Sequence, residues 1–141
     1  MPCLSGQFNP AIGILINIGV LLPGTSSVLA ANPGARPLTP FIGLIDTGAS
    51  HTCIAPSIVQ ALNLQPIGMQ PMTSAHQTAP VNIYQVDLVI LFGNQGFALA
   101  NSPVVEFAAP SNSPFQVLVG RDIICRENLA LSFDGHFSFS L

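Results

Sequence analysis

Strict alternation begins at Ile12. Ile12, Ile14, Ile16, Ile18 and Val20 fall on one side, with Gly13, Leu15, Asn17 and Gly19 on the other. A period of two rich in β-branched residues predicts a strand with one buried face, ended by Pro23 and Gly24. Residues 23–40 then form a loop of proline, glycine and small residues, a length that in compact domains is functional or disordered. Phe41 to Ile45 predicts a second strand and Thr52-Cys53-Ile54 a short third. Pro56 marks a helix start, where its missing N–H is not needed, and Ile58, Ala61 and Leu62 share one helical face. Residues 65–81 are polar or small, punctuated by Pro66, Pro71 and Pro80. They lead into the strongest strand, where Tyr84, Val86, Leu88, Ile90 and Phe92 alternate with Gln85, Asp87, Val89 and Leu91. Gly93-Asn94-Gln95-Gly96 predicts a turn and a hairpin with Phe97 to Ala100, and Val104 to Phe107 continues as strand. Val117-Leu118-Val119 predicts a buried strand running through Gly120 into a helix. The chain closes with Leu129 to Phe133, a turn at Asp134-Gly135, and Phe137 to Leu141 in strict alternation. That last strand reads as an edge strand or as half of an intermolecular pairing. Met1 to Pro10 carries no periodic signal and reads as an arm or short edge segment; no repeat and no second domain is visible.

Composition narrows the function. The 141 residues suffice for one domain with a proper core. Apolar residues make up 49% and charged residues 6%, lysine is absent, and Arg36, Arg121 and Arg126 are the only arginines. A net charge of −3 leaves no basic patch, which excludes nucleic-acid binding. So little charge hints at self-association, because a large apolar patch on such a surface marks an interaction site. The longest apolar run, Ala11 to Leu22, is interrupted by Asn17 and is too short for a membrane span. No basic residue precedes Arg36, so the N-terminus reads as part of the fold and not as a signal peptide. Cys3, Cys53 and Cys125 are odd in number and lack metal spacing, which suits a reducing, cytoplasmic compartment without metal or cofactor. Cys53 and Cys125 read as small core residues.

The chemistry concentrates in Leu44-Ile45-Asp46-Thr47-Gly48-Ala49-Ser50. The apolar pair anchors a strand end and fixes the Asp46 carboxylate where the chain turns. Gly48 permits a tight turn and close backbone approach, and Thr47 and Ser50 place hydroxyls beside the acid. The bland reading of these residues is a strand ending in an Asx-turn, which Asp-x-Gly sequences often make. The full string resembles the active-site signature of aspartic proteases, and the Ala after Gly leans towards the retroviral-type (retropepsin) branch. Val117-Leu118-Val119-Gly120-Arg121-Asp122-Ile123 resembles that branch's second signature. The resemblance implies an all-β, mainly antiparallel, closed-barrel-like acid-protease fold with one or two short helices, each chain one lobe of a homodimer. It also implies that the second strand passes behind the catalytic loop and that Arg121 ties the helix to the turn. The 23–40 connection is longer than the viral pattern.

A single acid is chemically incomplete. Hydrolysis of this type needs two carboxylates about 3 Å apart sharing one proton. The ionised member deprotonates water and the protonated one polarises the scissile carbonyl. Only one Asp-Thr-Gly occurs; Asp134 is better explained as a hairpin turn, Asp87 lies within a strand, and Asp122 takes the helix-start position. A symmetric homodimer, each chain supplying Asp46, resolves this. By the resemblance, Asp46, Thr47 and Gly48 form the catalytic group, with Thr47 hydroxyls bonded across the interface. Ala49, Ser50, Gly120 and Arg121 support it. A flap spans about 73–82, its tip near His76-Gln77-Thr78 and lacking the family's glycine, with His76 and Gln77 near substrate but not catalytic. His51 reads as a surface residue. The termini are expected in a shared dimer sheet. The expected function is an aspartic endopeptidase that cuts extended peptides at apolar positions and favours mildly acidic pH. The alternative is an inactive dimerisation or peptide-binding module, supported by the atypical flap and the long loop but opposed by the intact Asp46-Thr47-Gly48. A structural assembly unit, suggested by the low charge, predicts higher oligomers.

Overall fold

The computed structural model describes residues 3–27, 39–93 and 95–141. Along the chain run β1 (Cys3–Gln7), β2 (Ile14–Leu21), β3 (Phe41–Ile45), β4 (Cys53–Ile54) and α1 (Pro56–Ala61). They are followed by β5 (Gly68–Thr73), β6 (Thr78–Phe92), β7 (Gln95–Glu106), β8 (Val117–Val119), α2 (Arg121–Ile124), β9 (Asn128–Leu131) and β10 (His136–Ser140).

The larger sheet runs β2-β3-β8-β4-β7-β6-β5, and β2 also pairs with β6. That extra pairing, Asn17 to Leu21 against Leu91 to Asp87, closes six strands into a barrel and leaves β5 outside it. The alternating faces explain the closure. Ile18, Val86, Leu88, Ile90, Val117 and Val119 are all fully buried, and Ile54 and Ile58 join them. Burying branched side chains of this size contributes on the order of 1.5–3 kcal/mol each. Most pairings are antiparallel; β3–β8 and β4–β7 are parallel. Among the described residues, no helix is long and apolar enough to cross a membrane.

Several expectations are corrected. Ile12 is 54% exposed, because Gly13 takes φ +105° and breaks the alternation one residue before β2 starts. In α1 the buried residue is Ile58, with Val59 and Leu62 packed against the core, while Ala61 faces solvent; the helix is too short for a full apolar stripe. Residues 65–81 do not stay irregular. Residues 68–73 pair with 83–78 as a hairpin, with Pro71 opposite Pro80. The Ser74 N–H to Gln77 C=O bond sets the ladder's phase so that this pair is a non-hydrogen-bonded one, where neither strand needs a donor. Gln95 and Gly96, expected in the turn, belong to β7; Asn94 lies outside the described residues. Residues 28–38 of the long loop lie outside them too.

The smaller sheet has the order β1-β10-β9. The C-terminal strand is therefore not an edge: β1 and β9 of the same chain occupy both of its sides. The N-terminal segment is the edge strand β1. Phe137 and Phe139 turn one face of this sheet into the main core. Cys125, expected inside, is exposed, because α2 directs Ile123 and Ile124 inward and its C-cap outward.

Candidate active site

The Asp46 turn is held at one end by β8 and at the other by the first residue of α2. Asp46 N–H donates to the Val119 carbonyl at 2.9 Å, and Arg121 N–H donates to the Ala49 carbonyl at 2.8 Å. Between them Ala49 N–H bonds the Asp46 carbonyl at 3.2 Å, and Gly48 N–H donates to Asp46 Oδ1 at 2.9 Å. The Asx-turn is thus present, and it aims the carboxylate: one oxygen is held by Gly48. Among the described residues the other oxygen accepts no hydrogen bond, and the Thr47 hydroxyl makes none. Asp46 is half-buried, while Thr47, Gly48 and Ser50 are exposed.

Behind the turn lies a buried polar link that the sequence did not single out. Thr52, fully buried, donates its N–H to Asp122 Oδ2 at 3.0 Å and its hydroxyl to Asp122 Oδ1 at 2.8 Å. The Thr52 oxygen in turn accepts the Gly120 N–H at 3.1 Å. The strand after the turn is thereby bolted to the start of α2. A Cβ on Gly120 would sit 2.6 Å from the His51 carbonyl carbon, so only glycine lets the two backbones approach this closely. Arg121 reaches over the outside, its guanidinium donating to the Thr47 carbonyl at 3.0 Å. This side chain ties the helix to the turn.

Cys53 follows, its thiol donating to the His51 carbonyl at 3.3 Å. Burial, then the nearby carboxylates of Asp122 and Asp46, push its pKa up to about 12. It is a neutral packing group. His51 is exposed. His76 and Gln77 lie on the exposed turn of the β5–β6 hairpin, which spans Ser74 to Gln77; Thr78 already belongs to β6, and its hydroxyl bonds that of Thr73 at 2.9 Å. No hydrogen bond joins them to the Asp46 turn among the described residues.

Concave sites of about 310 and 300 Å³ lie elsewhere. One is lined by residues such as Pro56, Gln60, Ser111 and Phe115, the other by residues such as Met69, Val81, Asn82 and Phe107. Neither includes Asp46.

A second buried carboxylate also escaped the sequence reading. Asp87, fully buried at a register shift in β6, accepts the N–H groups of Gly24, Ser26 and Asn101 and the Ser26 hydroxyl. Burial raises its pKa, but these four bonds outweigh it and hold the carboxyl below the usual range. Asp87 pins the start of the loop after β2 to the β6–β7 hairpin.

The fold is that of the retropepsin-like aspartic proteases. A crystal structure of a retropepsin-like aspartic protease from Rickettsia conorii superposes with a TM-score of 0.62 at 12% identity, covering 98% of this chain and 90% of that one. The foamy viral protease-reverse transcriptase, solved with an RNA/DNA hybrid, matches with a TM-score of 0.50 at 20% identity, over 84% of this chain but 13% of that one. The family model described as Aspartyl protease matches residues 37–123, from ahead of β3 into α2, and the chain belongs to that family. No curated protein matches it.

Proposed function

We propose that this protein is an aspartic endopeptidase, active as a symmetric homodimer in which the two Asp46 carboxylates share one proton and activate a water molecule. The supporting observation is the Asp46 turn itself. Its Asx bond and its two backbone bonds to β8 and α2 fix the half-buried carboxylate beside the exposed Thr47 and Gly48, with one oxygen unbonded among the described residues. A binding module has no physical need for an acid held in that way.

In the dimer, the ionised carboxylate takes a proton from water as the oxygen attacks the peptide carbonyl, and the protonated partner donates to the carbonyl oxygen. The carboxyl that took water's proton then passes it to the amide nitrogen, the partner carboxylate takes a proton back from the diol, and the C–N bond breaks to release the amine. No covalent enzyme intermediate forms. The free Thr47 hydroxyls hold the two turns level across the axis. The β5–β6 hairpin acts as the flap over an extended peptide with apolar side chains at the cut, with His76 and Gln77 at its tip. Ala49, Ser50, Gly120 and Arg121 keep the turn in place.

Cleavage of a denatured protein between about pH 4 and 7 tests the reading, with Asp46→Asn as the comparison. The wild type cuts, and Asp46→Asn loses about a thousandfold in rate. Equal cleavage by the two proteins overturns the assignment.

A further inference from the structure

The groove of about 300 Å³ beside the β5–β6 hairpin has apolar walls and one acid. Met69, Pro80 and Val81 of the hairpin and Phe107, just past β7, make the walls. Met69 is 62% exposed, so the fold itself leaves that wall uncovered. The acid is Glu106, the last residue of β7. By strand alternation it shares a face with Val104, which is buried in the core. A carboxylate on a core face costs free energy unless it is partnered. Its partner is the buried Tyr84, whose hydroxyl donates to Glu106 Oε2 at 3.0 Å and accepts from Asn82 Nδ2 at 3.3 Å. Among the described residues Oε1 accepts no hydrogen bond and no cation pairs with Glu106. Arg121 and Arg126 are engaged by backbone carbonyls elsewhere.

The groove lies between the hairpin and the strand that follows the Asp46 turn. Val105 N–H donates to the Thr52 carbonyl and Phe107 N–H to the Ile54 carbonyl, each at 3.1 Å, so Glu106 is stitched alongside β4. With the hairpin as flap, an extended peptide passes this groove on its way from the cut. We propose that Glu106 selects a lysine or arginine of the peptide, at one fixed position outside the apolar pair that flanks the cut. This rests on the endopeptidase reading above and names the substrates of that same site. The groove matches such a side chain in both of its parts. A lysine or arginine has an apolar stem and a charged end. The stem lies along Met69, Pro80, Val81 and Phe107, and the charged N–H donates to Oε1. Tyr84 holds Oε2 at the wall, which leaves Oε1 for the incoming cation. An acidic side chain meets repulsion there, and an apolar one leaves the carboxylate unpaired. The volume is at the low end for ligand sites, which suits one long side chain.

Digestion of a denatured, lysine-rich protein of known sequence, with the cut sites read by mass spectrometry, tests the selection. Among wild-type cuts, Lys and Arg are enriched at least about tenfold at one position beside the apolar pair, as a hydrogen bond between charged groups allows. Glu106→Gln keeps an oxygen for the Tyr84 hydroxyl and loses the charge; it folds, cuts and shows no enrichment. Glu106→Lys turns the preference at that position to Asp and Glu, and thermal midpoints verify that both variants are folded. Tyr84→Phe keeps the charge and weakens the enrichment at the same position. Cleavage that needs Asp46 but shows no enrichment, or Glu106→Gln with the enrichment intact, overturns the role of Glu106 and leaves the paired-Asp46 chemistry standing. A Glu106-dependent enrichment in a digest that Asp46→Asn produces equally well sustains the groove and removes that chemistry. A wild type that cuts nothing overturns both.

Discussion

The Thr52 hydroxyl lies 2.8 Å from the Asp122 carboxylate, across 70 residues of sequence, and it also receives the Gly120 N–H. One side chain thereby joins the strand leaving the Asp46 turn to the helix that supports it. Thr52→Val keeps the shape and removes the hydroxyl, leaving the buried Gly120 N–H and one carboxylate oxygen without a partner. The expected loss is about 2–4 kcal/mol, read as a fall in thermal midpoint of roughly 10 °C. An unchanged midpoint contradicts the role given to this link.

Arg121 acts on the turn from outside, so its removal should separate positioning from folding. Arg121→Ala lowers stability by no more than about 1 kcal/mol, while peptide cleavage falls at least about tenfold because the Thr47 carbonyl loses its guanidinium donor. Arg121→Lys restores part of the rate, since the single bond to the Thr47 carbonyl is one that an ammonium can also donate. Parallel denaturant melts and turnover assays check both halves.

The three cysteines should divide sharply. Cys3 and Cys125 are exposed and react with a thiol reagent in the native protein; Cys53, buried and with a pKa near 12, does not. Titration therefore counts two thiols in buffer and three in denaturant. Rapid labelling of all three in buffer contradicts the packing described around the site.

Asp87 couples pH to stability with a definite sign. Its folded pKa lies below the unfolded value near 3.9, so its contribution is present above that value and is lost as pH falls through the lower, folded pKa. Asp87→Asn lacks this contribution at every pH and also mismatches an amide to four donors. Its expected cost is about 3 kcal/mol at neutral pH, with a flatter acid limb of the stability curve. Urea midpoints measured from pH 7 down to about 2 decide it.

What could be read from sequence was short in range. Asp46, its glycine, and the Arg121 tie were visible because each sits in a contiguous string whose chemistry is local. Strands β2, β6 and β8 were visible because their burial repeats every second residue. The Thr52–Asp122 link and the Asp87 hub were not, since neither residue's neighbours in sequence are its partners in space. The 65–81 segment misled through its prolines: Pro71 and Pro80 are tolerated only because they face each other where the ladder asks for no donor. The C-terminal strand misled differently. Alternation shows that a segment is β and is blind to which strands flank it, so nothing in Phe137 to Leu141 announced that both sides were already taken.

The β2–β6 seam has a consequence for how such a chain stays dispersed. With nine formally charged side chains in all, mutual repulsion between molecules is feeble. Ring closure removes part of the hazard: in the circle of six strands every ladder finishes on itself, so a passing molecule finds no open rung there to continue, and edges remain at β1, β5 and β9. Prising that seam apart, by a proline at Gly19 for instance, should turn a well-behaved solution into fibres or precipitate long before it unravels the fold.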